Sequence, residues 1–398
     1  MKLLHTADWH LGQIFYEYDR KEEHALFLSK LKKKINELSI DVLLIAGDVF
    51  DSPNPSAASQ KMFYRFLRET IDVNPLLQIV IIAGNHDSAA RLEAPNPLLE
   101  EMNITVRGVV KKIAEGSIDY NHLLVPLKEK NETAAWCMAV PYLRQGDYPE
   151  AESYTEGVRK MYETLYEKIP DKTKPIVAMG HLQATGSEIS ENDRSERTVI
   201  GGLECVSPDS FPPEIAYTAL GHLHRAQQVS GRKNVRYAGA PLPMSFAEKN
   251  NKQSITLIEI DGKDVKIECI EMEAPVKLLS IPKEAKLLPE VLEEIALLPE
   301  GEIAANSPYL EIKVLITEPE PLLRSHIEEA LKNKSVRIAR ITAVTRGKSI
   351  KTKTTAYAEL QTIHPLDMAI DIFRQNYGGE DMPIAMKKLL QKVIQEVE

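Results

Sequence analysis

Cysteine is scarce. Cys137, Cys205 and Cys269 are the three in a 398-residue chain, odd in number and far apart. That excludes a disulfide framework and points to reduced, partly buried thiols in a cytoplasmic protein. Long hydrophobic runs are also missing, since no apolar stretch approaches the roughly 20 residues that cross a bilayer. The N-terminal MKLLHTADWH has one lysine and a very short apolar stretch before Asp8, so it reads as a first strand and not as a signal peptide. Two motifs are absent as well. Without a Gly-x-Ser-x-Gly elbow there is no sign of a serine nucleophile, and without a Gly-x-x-x-x-Gly-Lys-Ser/Thr loop any ATP dependence must come from another subunit.

What is present is ordinary in amount and uneven in distribution. Hydrophobic residues make up 43% and charged residues 27% of the chain, the proportions of a soluble globular protein. The length exceeds one ordinary core, so two or more domains are expected. The net charge of −9 argues against a nucleic-acid binder when taken whole. From Lys332 to Lys353, however, the chain carries eight basic residues and no Asp or Glu. An acidic body with one basic stripe suits a phosphate-backbone partner, although lysines and arginines also protect sheet edges.

Strand and helix alternate through the first part. Lys2 to Thr6 reads as a strand, and Leu28, Leu31, Ile35 and Leu38 recur at helical spacing within Glu22 to Leu38. The runs DVLLIAG (41–47) and QIVIIAG (78–84) read as strands buried on both faces, with a helix over Ala57 to Ile71 between them. PIVAMG (175–180) and IAYTALG (215–221) are later strands, and the alternation predicts a layered α/β core. After Glu273 a proline-rich junction leads into strands near Lys277–Ile281, Tyr309–Ile316 and Val336–Val344, with helices near Leu288–Leu297 and Pro321–Leu331. This is a small α+β domain. The polar, basic stretch beyond it reads as a linker. Two short amphipathic helices close the chain, one presenting Leu366, Ile370 and Phe373, the other Leu390, Val393 and Val397. The expected organisation is 1–274, 275–346, a linker 347–357 and a helical pair 358–398.

Five polar motifs follow the apolar strands: Asp8-Trp9-His10, Gly47-Asp48-Val49-Phe50-Asp51, Gly84-Asn85-His86-Asp87, Gly180-His181 and Gly221-His222-Leu223-His224. In open α/β sheets ligands bind beyond the carboxyl ends of strands, so these distant residues are placed to converge. Asp, Asn and His without Cys suit Mn²⁺, Fe²⁺ or Zn²⁺. Two metals need a carboxylate between them, and Asp48, after the most apolar strand, is the natural bridge. One metal would take Asp8, His10 and His224, the other Asn85, His181 and His222. Any one of these motifs is common and a lone histidine is usually structural; the ordered set is what carries the argument. Of the other histidines, His5 reads as core, and His24, His122, His326 and His364 as surface or capping residues.

The motif series resembles the calcineurin-like metallophosphoesterase superfamily. TADWHLG, AGDVFD, AGNHDS and LGHLH are close to the form found in bacterial nuclease subunits of DNA repair complexes, and the resemblance covers nearly the whole chain. It implies a layered α/β metallophosphoesterase β-sandwich flanked by helices, with a capping domain and a terminal helix pair that grips the coiled coil of an SMC-like ATPase. It implies two Mn²⁺ ions, with Mg²⁺ weaker, on Asp8, His10, Asp48, Asn85, His181, His222 and His224. His86 would act on the scissile phosphate or the leaving oxygen, and Asp87 would orient His86. It further implies 3′-to-5′ exonuclease action on duplex DNA, endonuclease action on single strands and hairpins, a homodimer within a heterotetramer, and a cytoplasmic, nucleoid-associated protein with no membrane partner. Two departures stand out: Asp51 replaces a histidine frequent in archaeal and eukaryotic relatives, and Ala240 replaces a usual serine in the loop Tyr237–Glu248.

Two bases for DNA contact and partner binding come from the tail of the sequence. Arg346, Lys348, Lys351 and Lys353 are candidate phosphate contacts, and the apolar faces of the terminal helices are too small for a core of their own but suit a partner helix. The competing readings are a small-substrate metallophosphatase or cyclic-nucleotide phosphodiesterase, and a non-catalytic adaptor that keeps the fold. The chain after Glu273 speaks against the first, and the intact ligand set and His86 against the second.

Overall fold

A computed structural model of the chain describes residues 1–114, 116–130, 132–187, 205–262, 264–317 and 320–345, with 370, 373, 382, 383, 386 and 387 of the tail. Its centre is two six-stranded sheets. The first runs in the order Asp264–Glu271, Ser254–Asp261, Lys2–Thr6, Val42–Ala46, Gln78–Ile82, Ile104–Arg107, and the second Gln227–Val229, Arg232–Tyr237, Tyr217–Gly221, Ile176–His181, Glu132–Ala139, Leu124–Glu129. Lys2–Thr6, Val42–Ala46 and Gln78–Ile82 are parallel, as are Ile176–His181 and Tyr217–Gly221. Leu3, Val42, Leu44, Val80 and Ile82 of the first sheet pack on Cys137, Val177, Met179, Tyr217 and Ala219 of the second in one apolar layer.

The outer faces are covered by helices. Lys21–Leu38 turns Phe27, Leu28, Leu31 and Ile35 inward, and Ala57–Val73 turns Phe63, Phe66 and Leu67 inward, both onto the first sheet. Ser56 caps the second of these through its side chain, which accepts from the Ser59 amide at 3.1 Å. Tyr154–Glu167 packs Val158, Met161, Tyr162 and Leu165 on the other sheet. The result is helix, sheet, sheet, helix, and every strand read from the first 221 residues is present.

The chain then forms a three-stranded sheet, Leu278–Lys286, Tyr309–Ile316 and Arg337–Thr345, with helices Leu288–Ala296 and Leu323–Leu331. Met1–Val314 and Pro321–Thr342 make one compact unit; Leu315–Glu320 and Ala343–Glu398 make another. In the second unit Ile370 and Phe373 are helical and half-buried. Arg346, Lys348, Lys351, Lys353, Leu366, Leu390, Val393 and Val397 lie outside the described residues, as does His364. All three cysteines are free, Cys137 buried and the other two exposed. Among the described residues no helix is long and apolar enough to cross a membrane.

Two histidine assignments are corrected. His24 is not on the surface: the inward face of its helix carries it into the interior at 1% exposure. There burial, with the nearby Arg20 charge, lowers its pKa to about 4. His122 is half-buried, its Nε2 lying 3.3 Å from Glu93. His5 is core as read, bonded to the Tyr217 hydroxyl at 2.9 Å, and His326 is exposed.

Candidate metal centre

The polar motifs lie at the carboxyl ends of the parallel strands of both sheets, and the two sheets bring them together. Asp8 and His10 follow Lys2–Thr6, Asp48 follows Val42–Ala46, Asn85 and His86 follow Gln78–Ile82, His181 ends its own strand, and His222 and His224 follow Tyr217–Gly221. The backbone there is unusual. Asp8, His10, Asp48 and His222 all have positive φ, at 53°, 46°, 48° and 102°. Non-glycine residues rarely adopt such values, and they persist where the surroundings over-determine them. Here the surroundings are backbone bonds between turns: the Asp8 amide donates to the Gly47 carbonyl and the His10 amide to the Asp48 carbonyl, each at 3.0 Å.

The side chains form three overlapping groups, one of them His10, Asp48 and His86. Asp8, His10 and His224 bring ligand-type atoms within 4.8 Å of one another, and so do Asp8, Asp48 and His181. Asn85 Oδ1 lies 2.9 Å from His181 Nε2 and 3.0 Å from His222 Nδ1. Both triplets assigned from the sequence are therefore assembled, with Asp48 Oδ2 between His10 at 3.7 Å and His181 at 3.3 Å. His181 Nδ1 faces the Ala46 carbonyl at 2.9 Å. A carbonyl can only accept, so Nδ1 donates and the ring presents Nε2 to the centre.

Electrostatics in this buried group is strongly perturbed. Burial pushes Asp8 up to about 7 against the pull of His181 and His224. Burial works upward on Asp48 too, but the charges of His181, His10 and His86 outweigh it and hold the group well below the ordinary carboxylate range. His181 is carried up to about 9: burial works downward, and the charge and hydrogen bond of Asp48 prevail. Burial, reinforced by the charge of His181, lowers His222 to about 3. Asp8 Oδ2 and His10 Nε2 are buried with no hydrogen-bond partner among the described residues. Such atoms are costly unless something takes them up. A set of carboxylates, imidazoles and one amide, with buried unmatched donor atoms, fits hard-to-borderline divalent cations.

Asp87 does not pair with His86 as expected. The Asp87 carboxylate accepts from the amides of Gly84, Val49 and Phe50 at 2.9, 3.1 and 3.0 Å, so it ties two turns together and does not orient His86. Three backbone donors converge on it because both turns fold back over the ends of adjacent strands. Burial and the charge of Asp48 nonetheless push its pKa up to about 6. The His86 ring is oriented instead by the Asp51 carbonyl, 2.9 Å from Nδ1, and its amide donates to Asp48 Oδ1 at 2.8 Å. Asp51 also sets its carboxylate 3.3 Å from His10 Nδ1.

Sequence reading missed two more contributors. Glu248, 2% exposed, meets His224 Nδ1 at 3.1 Å and accepts from the Met244 amide at 2.8 Å. A carboxylate behind a ligand imidazole fixes its tautomer. The signal was an acidic residue closing the otherwise uncharged segment PLPMSFAE. Tyr142 lies edge-on to His181 with ring centres 6.2 Å apart. Ala240 contributes backbone, its amide donating to the His224 carbonyl at 2.9 Å.

A sandwich of this topology with an Asp, His and Asn centre at the sheet ends defines a phosphoesterase of the calcineurin-like class. Residues 1–226 match the family described as calcineurin-like phosphoesterase, and residues 275–377 the family described as type 5 capsule protein repressor C-terminal domain. The chain is 36% identical to SbcD of the SbcCD nuclease of Rhodobacter capsulatus, covering 88% of this chain and 89% of that one. It is 32% identical to the SbcD proteins of the SbcCD nucleases of Escherichia coli K12, over 69% of each chain, and Bacillus subtilis 168, over 65% of this chain and 66% of that one. The chain belongs to the SbcD family of calcineurin-like phosphoesterases.

Proposed function

We propose that this chain is a Mn²⁺-dependent DNA nuclease, a phosphodiesterase that removes nucleotides 3′ to 5′ from duplex ends and cuts single strands and hairpins. In this reading it is a cytoplasmic, nucleoid-associated protein. It acts in DNA end processing, repair and recombination with an SMC-like ATPase of the SbcC kind, as a homodimer within a heterotetramer. The observation that carries the reading is the meeting of Asp8, His10, Asp48, Asn85, His181, His222 and His224 at the ends of two facing sheets. Two divalent cations bound by these residues supply Lewis acidity toward an anionic phosphodiester and acidify water, with Mg²⁺ the weaker substitute.

The residues divide the remaining work. His181 is fixed by Ala46, and His224 by Glu248, so their Nε2 atoms are pre-set. His86 has Nδ1 engaged by Asp51, so Nε2 is the nitrogen available to the substrate, placed to act on the departing sugar oxygen. Arg346, Lys348, Lys351 and Lys353 supply phosphate contacts, and Leu366, Ile370, Phe373, Leu390, Val393 and Val397 supply the ATPase contact.

The test is cleavage of duplex, hairpin and small phosphodiester substrates with Mn²⁺ or Mg²⁺, with and without the ATPase, by the full chain and by a chain ending before Tyr357. Manganese-supported DNA cleavage by both chains, with ATPase binding lost in the shorter one, supports the reading. Hydrolysis restricted to small phosphodiesters would establish a small-substrate phosphodiesterase instead.

A further inference from the structure

Two runs of buried hydrogen bonds, joined through the backbone at Pro243–Met244, link the three-stranded sheet to the imidazole of His224, all within the first compact unit. Arg20 lies at its middle, 1% exposed. Its guanidinium donates to Glu23 twice, at 3.1 and 2.8 Å, to Gln13 Oε1 at 2.9 Å and to the Pro243 carbonyl at 2.6 Å. It also stands 5.0 Å from the centre of the Phe15 ring. On one side, Pro243 is followed by Met244, whose amide is held by the Glu248 that meets His224. On the other, the Tyr309 hydroxyl donates to Glu23 Oε1 at 2.7 Å and accepts from Arg337 Nη1 at 3.1 Å. Tyr309 and Arg337 belong to two strands of the three-stranded sheet.

A buried Arg–Glu pair is a weak source of stability, because desolvation offsets most of the attraction. What it imposes is geometry, and arginine is the residue that can do so: a planar fork with five donors reaches four acceptors on three segments of chain, which an ammonium cannot reproduce. Fixing the Pro243 carbonyl fixes the start of the turn that carries Glu248.

We propose that Arg20 is a positioning residue for His224, setting the Pro243–Glu248 turn, and that Glu23, Tyr309 and Arg337 extend this control from the three-stranded sheet. The inference rests on the two-metal reading above and goes beyond it by making the metal affinity of one half of the centre depend on residues that touch no ligand.

The experiment is calorimetric titration of the metal-free full chain with Mn²⁺, for wild type, Arg20→Lys and Tyr309→Phe, with His224→Ala marking which binding step involves His224. Changing a group hydrogen-bonded directly to a ligand weakens metal binding by about 10–100-fold, and Arg20 lies behind such a group, so the low end applies. Arg20→Lys should weaken the His224 step roughly tenfold and leave the other step unchanged. Tyr309→Phe keeps the ring, removes one hydroxyl and should weaken the same step by a smaller factor. Hydrolysis of bis(p-nitrophenyl) phosphate by both variants should recover at raised Mn²⁺. Wild-type titration curves for both variants, or equal weakening of both steps, overturn the proposal. If Arg20→Lys does not fold, Tyr309→Phe decides alone. A wild type that takes up no divalent cation overturns the two-metal reading and this inference with it, a result distinct from wild-type binding that the variants leave untouched.

Discussion

The Asp87 carboxylate accepts a hydrogen bond from the Val49 amide at 3.1 Å, across the gap between two motif-bearing turns. With the Phe50 and Gly84 amides it completes a three-donor cradle around a buried charge. Asp87→Asn keeps the shape but replaces one acceptor oxygen by a donor that faces amides. It should lower unfolding free energy by about 1–3 kcal/mol, the cost of leaving a buried amide without its acceptor, read by denaturant titration. Unchanged stability with a selective loss of turnover would restore Asp87 to the role of orienting His86.

His86→Ala should leave metal binding near wild type and reduce cleavage by about 10²–10⁴, the usual worth of a general acid. Calorimetric metal titration and turnover are measured on the same sample. A fall in metal stoichiometry would make His86 a ligand, a role its nearness to His10 and Asp48 also allows.

Gly47 has φ +90°, and a Cβ there would sit 2.2 Å from His181 Nδ1. Gly47→Ala therefore strains the turn and displaces the bond from His181 to Ala46. It should cost more than about 1 kcal/mol and weaken metal binding as a ligand substitution does. Wild-type Mn²⁺ affinity in this variant would show that the turn gives way without moving His181.

Glu93 gives a pH test on a separate set of contacts. Its Oε2 accepts from the Gly108 and Val109 amides at 2.8 and 2.9 Å, and Lys111 and His122 lie 3.0 and 3.3 Å from Oε1. Burial pushes its pKa upward, but these partners outweigh it and hold the pKa down to about 2. A depressed carboxylate stabilises the fold above its unfolded pKa and loses that contribution as pH falls toward the folded value. Glu93→Gln should thus cost about 2 kcal/mol at neutral pH, and the gap to wild type should close between about pH 5 and pH 2. A gap that does not change over this range would remove charge from the explanation.

Replacing Arg346, Lys348, Lys351 and Lys353 by Gln should weaken duplex binding irrespective of sequence. Each lost phosphate contact should reduce the log–log salt slope by about 0.9. An unchanged slope would leave this stretch a solvated linker.

The sequence by itself determined the strands and put the candidate ligands at their ends, because both features are local. Val42–Ala46 and Gln78–Ile82 are continuous apolar runs that have no other stable place than a buried sheet. The residues after them are polar groups at strand ends, where side chains of separate motifs meet. The surroundings of Asp87, His24, Glu248 and Arg20 were decided only by tertiary structure. Asp87 is adjacent to His86 in sequence, yet its oxygens face amides 37 and 38 residues away. Arg20 reaches Pro243 across 223 residues, and Tyr309 reaches Glu23 across 286. Such bonds depend on how the layers and turns pack, which no spacing along the chain encodes. A buried polar side chain takes the partner that folding brings within about 3 Å, not the one beside it in sequence.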